Sequence, residues 1–371
     1  MKRDALISPK EQIVVAGMFR TANGIGRAAQ SCYHALRAEG FDPVAVDLSA
    51  LFNQIDMASQ VPLSEMPAHD NGTLILFANA PETERALLGL GLRRWHRWRM
   101  IGAWAWELTA PPDDWMRQTH FFSEIWAPSQ FVQKAFQQRF SLPVRNVPHY
   151  LPVHEHEKAW PSPASRGDKV LRFLTIADGH SSFHRKNLLA TMQMFMKAFP
   201  NNEPVQLTVK CRNLSSYRPY ETEVMAIADA DDRICVIDRT FSEEEQTHLL
   251  WNSDILVSSH RSEGFGIHLA EAMAAGRTAV ATGWSGNLEF MTRRNSVLLP
   301  YVLKPVNDPS GIYQSLENAH WADVDIDAGA RGLRDLFEFP RRRHDLASRA
   351  QKDIQVSLRS RAYAAALAGP V

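Results

Sequence analysis

The feature that most constrains the fold is a strand–loop–helix–strand pattern in the second half of the chain. Residues 254–257 (Asp-Ile-Leu-Val) form a short apolar run typical of a buried strand. Residues 262–264 break this run, residues 265–275 have helix-forming composition, and Gly276 stands where a left-handed cap would end a helix. Residues 277–282 predict the next strand. This order predicts a parallel sheet, whose carboxyl edge is where open α/β sheets bind ligands.

The loop before the predicted helix carries residues suited to an anion. Gly264 and Gly266, on either side of Phe265, allow close backbone approach, and the N–H groups of the first helical turn would point at a pyrophosphate. Because the flanking carboxylates of Glu263 and Glu271 repel phosphate, we expect them to bind diols, as carboxylates bind ribose in dinucleotide sites. A nucleotide sugar has a diol at each end. The alternative, two solvated carboxylates, is disfavoured by the glycines and the two strands.

A longer block of sequence resembles the retaining GT-B glycosyltransferases of family 4. The block comprises residues 262–276 (Ser-Glu-Gly-Phe-Gly-Ile-His-Leu-Ala-Glu-Ala-Met-Ala-Ala-Gly) and residues 281–291 (Ala-Thr-Gly-Trp-Ser-Gly-Asn-Leu-Glu-Phe-Met). The resemblance implies an α/β protein with two Rossmann-like domains facing a cleft and a C-terminal helix that crosses back to the first domain. It also implies that Glu263 contacts the donor sugar and Glu271 the nucleotide ribose.

Two further segments of the second half extend the resemblance. Arg185 and Lys186 precede the predicted helix 188–199, and the resemblance implies that such cations bind the donor diphosphate. The family's earlier arginine is replaced here by His180, and Arg185 is the candidate substitute. A charged helix entry is the alternative. The resemblance also makes Asp238 and Arg239, which follow a predicted strand, candidates for holding the nucleobase.

The first half begins with a predicted strand, a glycine turn and a helix. Gly24, Gly26 and Ala29 satisfy G-x-G-x-x-A, and Asp47 ends the next predicted strand, as in nicotinamide-binding units. The resemblance instead makes Gly24, Ile25 and Gly26 a loop that faces the donor. On this unit alone the two interpretations are about even, and a tight turn that only packs helix on strand is the third.

A W-x-W-E motif ends the predicted strand 100–107, and a similar motif occurs in part of the resembling family. Trp106 stands near the position where many family members have a histidine on the acceptor side of the site. Glu107 is therefore the candidate polar group at this place. The alternative is a carboxylate that only caps a Pro-rich turn.

The stretch from Arg93 to Arg99 alternates cationic groups with two tryptophans. Arginine can bind lipid phosphate while tryptophan lies at the headgroup level, so the stretch is a candidate for peripheral membrane contact. That contact would suit an acceptor carried on a lipid. A solvated helix end before a strand is the alternative interpretation.

Composition limits the remaining choices. The 41 basic and 41 acidic residues cancel, so net charge gives no argument for a nucleic-acid partner. Three cysteines without metal or disulfide spacing, and the lack of an apolar signal core, lead us to expect a cytoplasmic protein, in contact with the inner face of the cell membrane if the cationic stretch binds lipid. The predicted domains are residues 1–153 and 170–345, joined by a linker over 154–169, with a C-terminal helix within 346–371 packing back on the first domain.

The resemblance implies a retaining glycosyltransferase that moves a hexose, mannose being one candidate, from a GDP- or UDP-linked donor to a glycan or lipid-linked glycan in bacterial surface polysaccharide synthesis. No cofactor and no metal are expected, because helix amides and cations would hold the diphosphate. Three alternatives stay open: a nucleotide-sugar 2-epimerase of GT-B fold, an NAD-dependent oxidoreductase, and a binding protein without catalysis.

Overall fold

The computed structural model describes residues 12–68, 71–91, 95–152, 169–313, 319–359 and 362–368. The chain forms two compact units: unit 1 comprises Met1–Pro152 and Leu358–Val371, and unit 2 comprises Val153–Ser357. The domain boundaries stated above stay predictions, and residues 154–168 of the predicted linker lie outside the described part of the chain.

Unit 1 contains a six-stranded parallel sheet in the order β2-β1-β3-β4-β5-β6. Apolar side chains of its central strands, such as Val14 and Ile75, are completely buried. This burial is expected because helices cover both faces of a parallel sheet. The strands are Ile13–Gly17 (β1), Val44–Asp47 (β2), Gly72–Phe77 (β3), Trp98–Ala103 (β4), Glu124–Ala127 (β5) and Val144–Asn146 (β6).

Two helices of unit 1 begin at side-chain caps that the sequence supplies. The Asn23 side chain accepts a hydrogen bond from the amide of Gly26, and the Ser129 side chain accepts one from the amide of Val132. The first helix connects β1 to the edge strand β2, and the second connects the two central strands β3 and β4. The segments are Gly24–Ala38 (α1), Ala80–Gly89 (α2) and Gln130–Gln137 (α3), with 3-10 turns at Trp95–Arg97 and Asp113–Phe121.

Unit 2 contains a second six-stranded parallel sheet in the order β12-β11-β10-β7-β8-β9. The predicted order of strand, loop, helix and strand is confirmed, because β10 precedes helix α8, β11 follows it, and the two strands pair in parallel. The two sheets with their helices confirm the predicted pair of Rossmann-like units. The strands are Leu171–Asp178 (β7), Val205–Arg212 (β8), Ile234–Asp238 (β9), Ile255–Ser258 (β10), Thr278–Thr282 (β11) and Val297–Leu299 (β12).

Helices pack on the sheet of unit 2 around a core that includes Phe173, Phe195 and Phe199. Ser242 and Glu245 form a capping box before the helix Glu243–Trp251, in which the side chain of each residue accepts a hydrogen bond from the backbone amide of the other. The helices are Phe183–Lys186 (α4), Leu188–Ala198 (α5), Arg218–Ala230 (α6), Glu243–Trp251 (α7), Ile267–Ala274 (α8), Ile326–Glu338 (α9) and Pro340–Ser357 (α10).

An antiparallel hairpin that the sequence analysis did not predict follows β12 in unit 2. It consists of Tyr301–Pro305 (β13) and His320–Val324 (β14). Val302 and Leu303 on β13 are exposed, whereas Trp321 and Ala322 on β14 are buried. The hairpin therefore covers the unit with one strand and faces solvent with the other.

The C-terminal region contains two helices, whereas the sequence predicts one over residues 346–367. The first is α10, which starts at Pro340 and buries Leu346 and Ile354 among the elements of unit 2. The second is Ala362–Leu367 (α11), which buries Tyr363 in the core of unit 1. The segment that returns to the first domain is thus α11, because only its apolar side chains belong to the core of unit 1.

Candidate functional site

The glycine loop, defined here as residues 263–266, joins β10 to α8 at the carboxyl edge of the sheet. Gly266 has a positive φ of 88°, which glycine adopts without strain, and it directly precedes α8. The Glu263 amide donates to the Ser285 hydroxyl at 2.8 Å, and the Gly286 amide donates to the Glu263 carbonyl at 2.8 Å. A Cβ on Gly286 would lie 2.1 Å from the Gly264 carbonyl oxygen, so the loop depends on glycine here.

Two cations from α4 meet the first carboxylate of the glycine loop. Lys186 Nζ lies 2.5 Å from Glu263 Oε1, and Arg185 Nη1 lies 3.2 Å from Glu263 Oε2. α4 is only one turn long, and Asn187 ends it in the left-handed conformation before α5 begins. The structure therefore brings together three of the predicted site residues, although 77 residues separate Lys186 from Glu263 in the sequence.

The charge of Glu263 is stabilised by these neighbours. Burial alone would raise the pKa of the Glu263 carboxyl, but Lys186 and then Arg185 hold that pKa well below its ordinary range. The carboxylate is thus ionised at neutral pH in spite of an exposed fraction of only 8 %. A buried anion held between two cations can exchange one of them for a ligand without leaving a charge unpaired.

Arg185 is buried in contact with the glycine loop and the residue before it. Its exposed fraction is 2 %, and its guanidinium donates to the Ser181 and Ser262 carbonyls at 3.1 Å and 2.7 Å as well as to Glu263. These contacts favour a role in positioning Glu263 over direct contact with a phosphate. Lys186, whose side chain retains 16 % exposure, is the better placed of the two cations for a ligand.

His260 is a site residue that the sequence analysis missed. Its Nε2 lies 3.2 Å from Asn287 Oδ1 and 3.3 Å from the Trp284 carbonyl, so Nε2 carries the proton and Nδ1 accepts from the Ser258 hydroxyl at 2.9 Å. Burial lowers the pKa of His260, which keeps the ring neutral. The ring links the end of β10 to the segment after β11. The position of His260 between a predicted strand and the glycine motif could have indicated from the sequence that it belongs to the site.

The remaining predicted residues around the glycine loop have different environments. Glu271 lies on α8, where its Oε2 is 3.2 Å from His268 Nδ1. The Phe265 ring is buried and packs 5.0 Å from the Phe290 ring. Phe265, predicted to bind substrate, can therefore offer a ligand its backbone but not its ring, because the apolar core holds the side chain.

Asp238 and Arg239 lie exposed at the end of β9, the edge strand of the sheet. Arg239 pairs with Glu245 at 2.7 Å and covers the Phe241 ring, so its side chain is engaged with α7. The buried Lys210, which the sequence analysis missed, donates to the Arg239 carbonyl at 2.5 Å. Burial lowers the pKa of Lys210, and its contact fixes the backbone at this candidate nucleobase position.

In unit 1, Gly24, Ile25 and Gly26 form the first turn of α1 after β1. A Cβ on Gly26 would lie 2.5 Å from a backbone oxygen, so this glycine serves close packing of the turn. Asp47 accepts from Arg20 Nε at 2.7 Å, as part of an ion pair within the unit. The oxidoreductase alternative assigns this carboxylate to a ribose.

The W-x-W-E motif lies after β4 and not in it, because the strand ends at Ala103. Trp104 is buried in an aromatic cluster, with its ring 5.7 Å from the Trp115 ring, and Trp106 lies 4.9 Å from Trp115. Both tryptophans are core residues. Glu107 is half-buried in the loop that follows β4, at the carboxyl side of the sheet of unit 1.

The cationic stretch proposed for membrane contact is partly internal. Trp98 is buried at the start of β4, and Arg99 pairs with Glu124 at 2.6 Å. These two residues are therefore not available to a lipid surface, because the sheet and its ion pair engage them. Arg93 and Arg94 lie outside the described residues. In the described part of the chain, no helix is both long enough and apolar enough to cross a membrane.

Comparison with known proteins adds to this geometry. Residues 181–319 match the family described as Glycosyl transferases group 1, and this segment contains Lys186, Glu263 and α8. No curated protein matches the chain in sequence. The match places the candidate site within a segment similar to a glycosyltransferase family.

Solved structures share the fold. HepE from Anabaena, in complex with UDP and glucose, has a TM-score of 0.65 at 13% identity, with 94% of this chain and 95% of HepE covered. The N-terminal domain of Candida albicans trehalose-6-phosphate phosphatase has a TM-score of 0.65 at 9% identity, with 96% of each chain covered. These identities are low, so the likeness establishes the GT-B type of fold with two Rossmann-like units.

The third comparison differs in length. TarM from S. aureus, solved as a mutant with fondaparinux, α-GlcNAc-glycerol and UDP, has a TM-score of 0.56 at 11% identity. The match covers 80% of this chain but 55% of TarM, so the chain spans about half the length of that protein. The family match thus covers residues 181–319, and the solved structures show the fold of the chain.

Proposed function

We propose that the protein is a retaining glycosyltransferase that moves a hexosyl unit from a nucleoside-diphosphate sugar to a glycan or lipid-linked glycan. The observation that carries this proposal is the buried Lys186–Glu263 pair beside the glycine loop, inside the segment that matches Glycosyl transferases group 1. The complex of HepE with UDP and glucose supports a nucleotide-sugar donor. GDP- and UDP-linked hexoses, including mannose, are the donors to test, and bacterial surface polysaccharide synthesis is the setting we propose.

Donor binding would exchange the partners of the buried ions. In the structure Lys186 Nζ donates to Glu263 Oε1. A bound donor brings phosphate oxygens for Lys186 and sugar hydroxyls for Glu263, so each group gains a new partner as it loses the old one. Arg185 continues to hold Glu263 in place through this exchange. The exchange avoids the high cost of an isolated buried charge.

The reaction develops negative charge on the leaving diphosphate. The bond between sugar C1 and the phosphate oxygen breaks, and the acceptor hydroxyl oxygen bonds to C1 on the same face. The acceptor proton passes to the departing phosphate. Lys186 and the amides at the start of α8 are fixed before the reaction and stabilise the growing charge. We propose that no metal is required, since these groups supply the positive potential.

Unit 1 is assigned to the acceptor in this proposal. Glu107 is the polar group that we propose to contact the acceptor, whereas Gly24 to Gly26 are proposed as the loop that faces the donor. Among the described residues no three His, Cys, Asp or Glu side chains group in a way that could hold a metal ion. Addition of EDTA to the assays therefore tests the metal requirement directly.

Substitution of Lys186 by Ala tests the proposal. We expect turnover to fall by more than ~100-fold, the size of losing one transition-state donor. The matched control is Lys197→Ala, because Lys197 is 57% exposed on α5 and pairs with Asp327 away from the site. Near-normal turnover of Lys186→Ala would remove this cation from the mechanism.

Ligand binding separates the alternatives. A thermal-shift screen with GDP, UDP, ADP, their sugar conjugates and NAD(H) should show stabilisation by one nucleoside diphosphate. Stabilisation by NAD(H) alone would favour the oxidoreductase. Conversion of a nucleotide sugar without acceptor would indicate an epimerase, and binding without any turnover would indicate a non-catalytic protein.

A further inference from the structure

The hairpin of β13 and β14 lies next to the segment that leads into the glycine loop. The amide of Ala322 on β14 donates to the carbonyl of Arg261 at 2.9 Å. Arg261 follows β10 by three residues and precedes Glu263 by two. The hairpin is thus in backbone contact with the segment that carries the candidate site, although the proposed reaction assigns it no role.

Arg261 joins the hairpin to α4. Its Nε donates to Asp323 Oδ1 on β14 at 3.0 Å, and its Nη1 donates to the carbonyl of His184 at 2.6 Å. Its backbone amide donates to the carbonyl of Arg185 at 2.7 Å. The guanidinium of Arg261 therefore contacts both the hairpin and one carbonyl of α4. Its backbone amide contacts a second carbonyl of α4.

These two carbonyls need partners from outside the helix. α4 has four residues, and the last carbonyls of a helix accept no hydrogen bond from an amide of the same helix. A single turn is not stable alone, because nucleation of a helix costs more than one turn returns. The conformation of Arg185 and Lys186 therefore depends on contacts such as those of Arg261.

The other end of α4 is held by the same hairpin. Ser182 precedes α4 with a φ of 62°, a strained value for a residue with a side chain. Its hydroxyl donates to Asp308 Oδ1 at 2.9 Å, and Asp308 lies in the connection between β13 and β14. The Ser182 hydroxyl oxygen also accepts from the Arg185 amide at 3.2 Å, so Asp308 orients the cap of α4.

Apolar packing and polar contacts together hold α4, because the buried Phe183 ring stacks on the Tyr220 ring at 5.3 Å while Arg261 and Asp308 provide the polar contacts. A cavity of about 350 Å³ lies between α4 and the hairpin connection, lined in part by His180, His184, Tyr217 and Ile312. The cavity separates α4 from the part of the connection formed by Pro309, Ser310 and Ile312. The contacts through Arg261 and Asp308 connect α4 to the hairpin on this side.

Asp323 fixes the direction of Arg261. Burial would raise the pKa of the Asp323 carboxyl, but Lys304 and Arg261 lower it, so the carboxylate is charged at neutral pH. Arg261 also lies over the ring of the buried Trp321, with Cζ 5.4 Å from the ring centroid. The guanidinium is held from two sides by β14.

We propose that the hairpin is a positioning element of the donor site, in which Arg261, directed by Asp323, sets Arg185 and Lys186 against Glu263. This inference rests on the proposed function, because the groups that it positions are those assigned to the donor. Arg261 is a positioning residue, since it acts through α4. Small displacements of catalytic groups are costly, about 100-fold in rate for 1 Å.

The test compares Asp323→Asn and Arg261→Lys with the control Lys304→Gln. Lys304 pairs with the same carboxylate from β13, but its side chain is 57% exposed. We expect kcat at saturating donor to fall at least ~10-fold in the first two variants and to stay within about twofold in the control. Active sites are counted by nucleoside-diphosphate binding, so that a loss of folded protein does not alter kcat. Equal kcat in all three variants would overturn the proposal.

A second measurement keeps the inference separate from the proposed function. If the wild-type protein turns over no nucleotide sugar, the proposed function fails by itself. The crystal structure of Asp323→Asn then decides the positioning role. A shift of Lys186 Nζ away from Glu263 by more than about 1 Å supports it, and an unchanged ion cluster contradicts it. Asn is nearly the same size as Asp, so this variant tests the charge with little change in packing. Asp323→Glu restores the charge and should recover part of the lost kcat.

Discussion

Substitution of Glu263 by Gln removes the negative charge that lies between Arg185 and Lys186. The side chains of the three residues are 2–16% exposed, so solvent screens them weakly. Removing one partner of a buried ion pair costs about 3–5 kcal/mol, because the remaining charge stays buried. In a domain of about 200 residues each kcal/mol lowers Tm by about 2–4 °C, so we expect Tm to fall by about 6–20 °C.

The pH dependence gives this prediction a sign. The pKa of Glu263 is lowered in the folded protein, so its stabilisation is present above its ordinary pKa of 4.5 and is lost as pH falls toward the folded-state pKa. The stability gap between wild type and Glu263→Gln should therefore be constant between about pH 7 and 5.5 and should narrow below about pH 4.5. Thermal unfolding followed by circular dichroism over this pH range measures it.

The control for this experiment is Glu338→Gln. Glu338 pairs with Arg334 one turn away on α9, and its side chain is 46% exposed. Exposed pairs contribute about 0–1 kcal/mol, so this variant should lose at most a few degrees. If Glu263→Gln unfolds within about 2 °C of Glu338→Gln at pH 7, the reasoning from buried charge is refuted.

Two further substitutions or modifications test other parts of the structure. Gly286→Ala should weaken nucleoside-diphosphate binding and lower stability by about 1–3 kcal/mol, because its Cβ would lie 2.1 Å from a backbone oxygen of the glycine loop. Gly332→Ala on α9, where a Cβ meets its nearest atom at 3.6 Å, is the control, and calorimetry with equal losses in both would argue against this steric account. One thiol per native chain should react with a disulfide reagent at pH 8, since Cys235 is exposed while Cys32 and Cys211 are buried and burial raises the pKa of Cys211 to about 12. Peptide mapping identifies the labelled cysteine, and rapid labelling of Cys32 would contradict the burial.

The sequence predicted the parts of unit 2 whose structure follows from local patterns. β10, α8 and β11 were predictable because short apolar runs alternate with glycines at the positions where the chain must turn. The meeting of Lys186 with Glu263 was predictable in outline, because both follow strands whose carboxyl ends share one edge of a parallel sheet. The resemblance to a family supplied the roles that these patterns alone left open.

Other features depend on partners far away in the sequence. The stretch from Arg93 to Arg99 suggested a surface, but Arg99 bonds Glu124 and a carbonyl of α11 that lies 268 residues later. The hairpin was missed because Val302 and Leu303 face solvent, which removes the alternation expected of a half-buried strand. His260 and Lys210 were missed because a single polar residue in a sequence does not reveal which buried carbonyls it bonds.

The pairing of α11 with unit 1 constrains the order in which the protein folds during translation. Tyr363 and Leu367 belong to the core of unit 1, and Arg99 and Arg145 both donate to carbonyls of α11. The ribosome makes these core residues only after all of unit 2, which ends at Ser357. Although domains generally fold from the N-terminus onward, unit 2 can complete its core while unit 1 still lacks a helix. The nascent chain thus carries an unfinished first unit, with the surface that α11 will cover left open to chaperones until synthesis has passed Leu367.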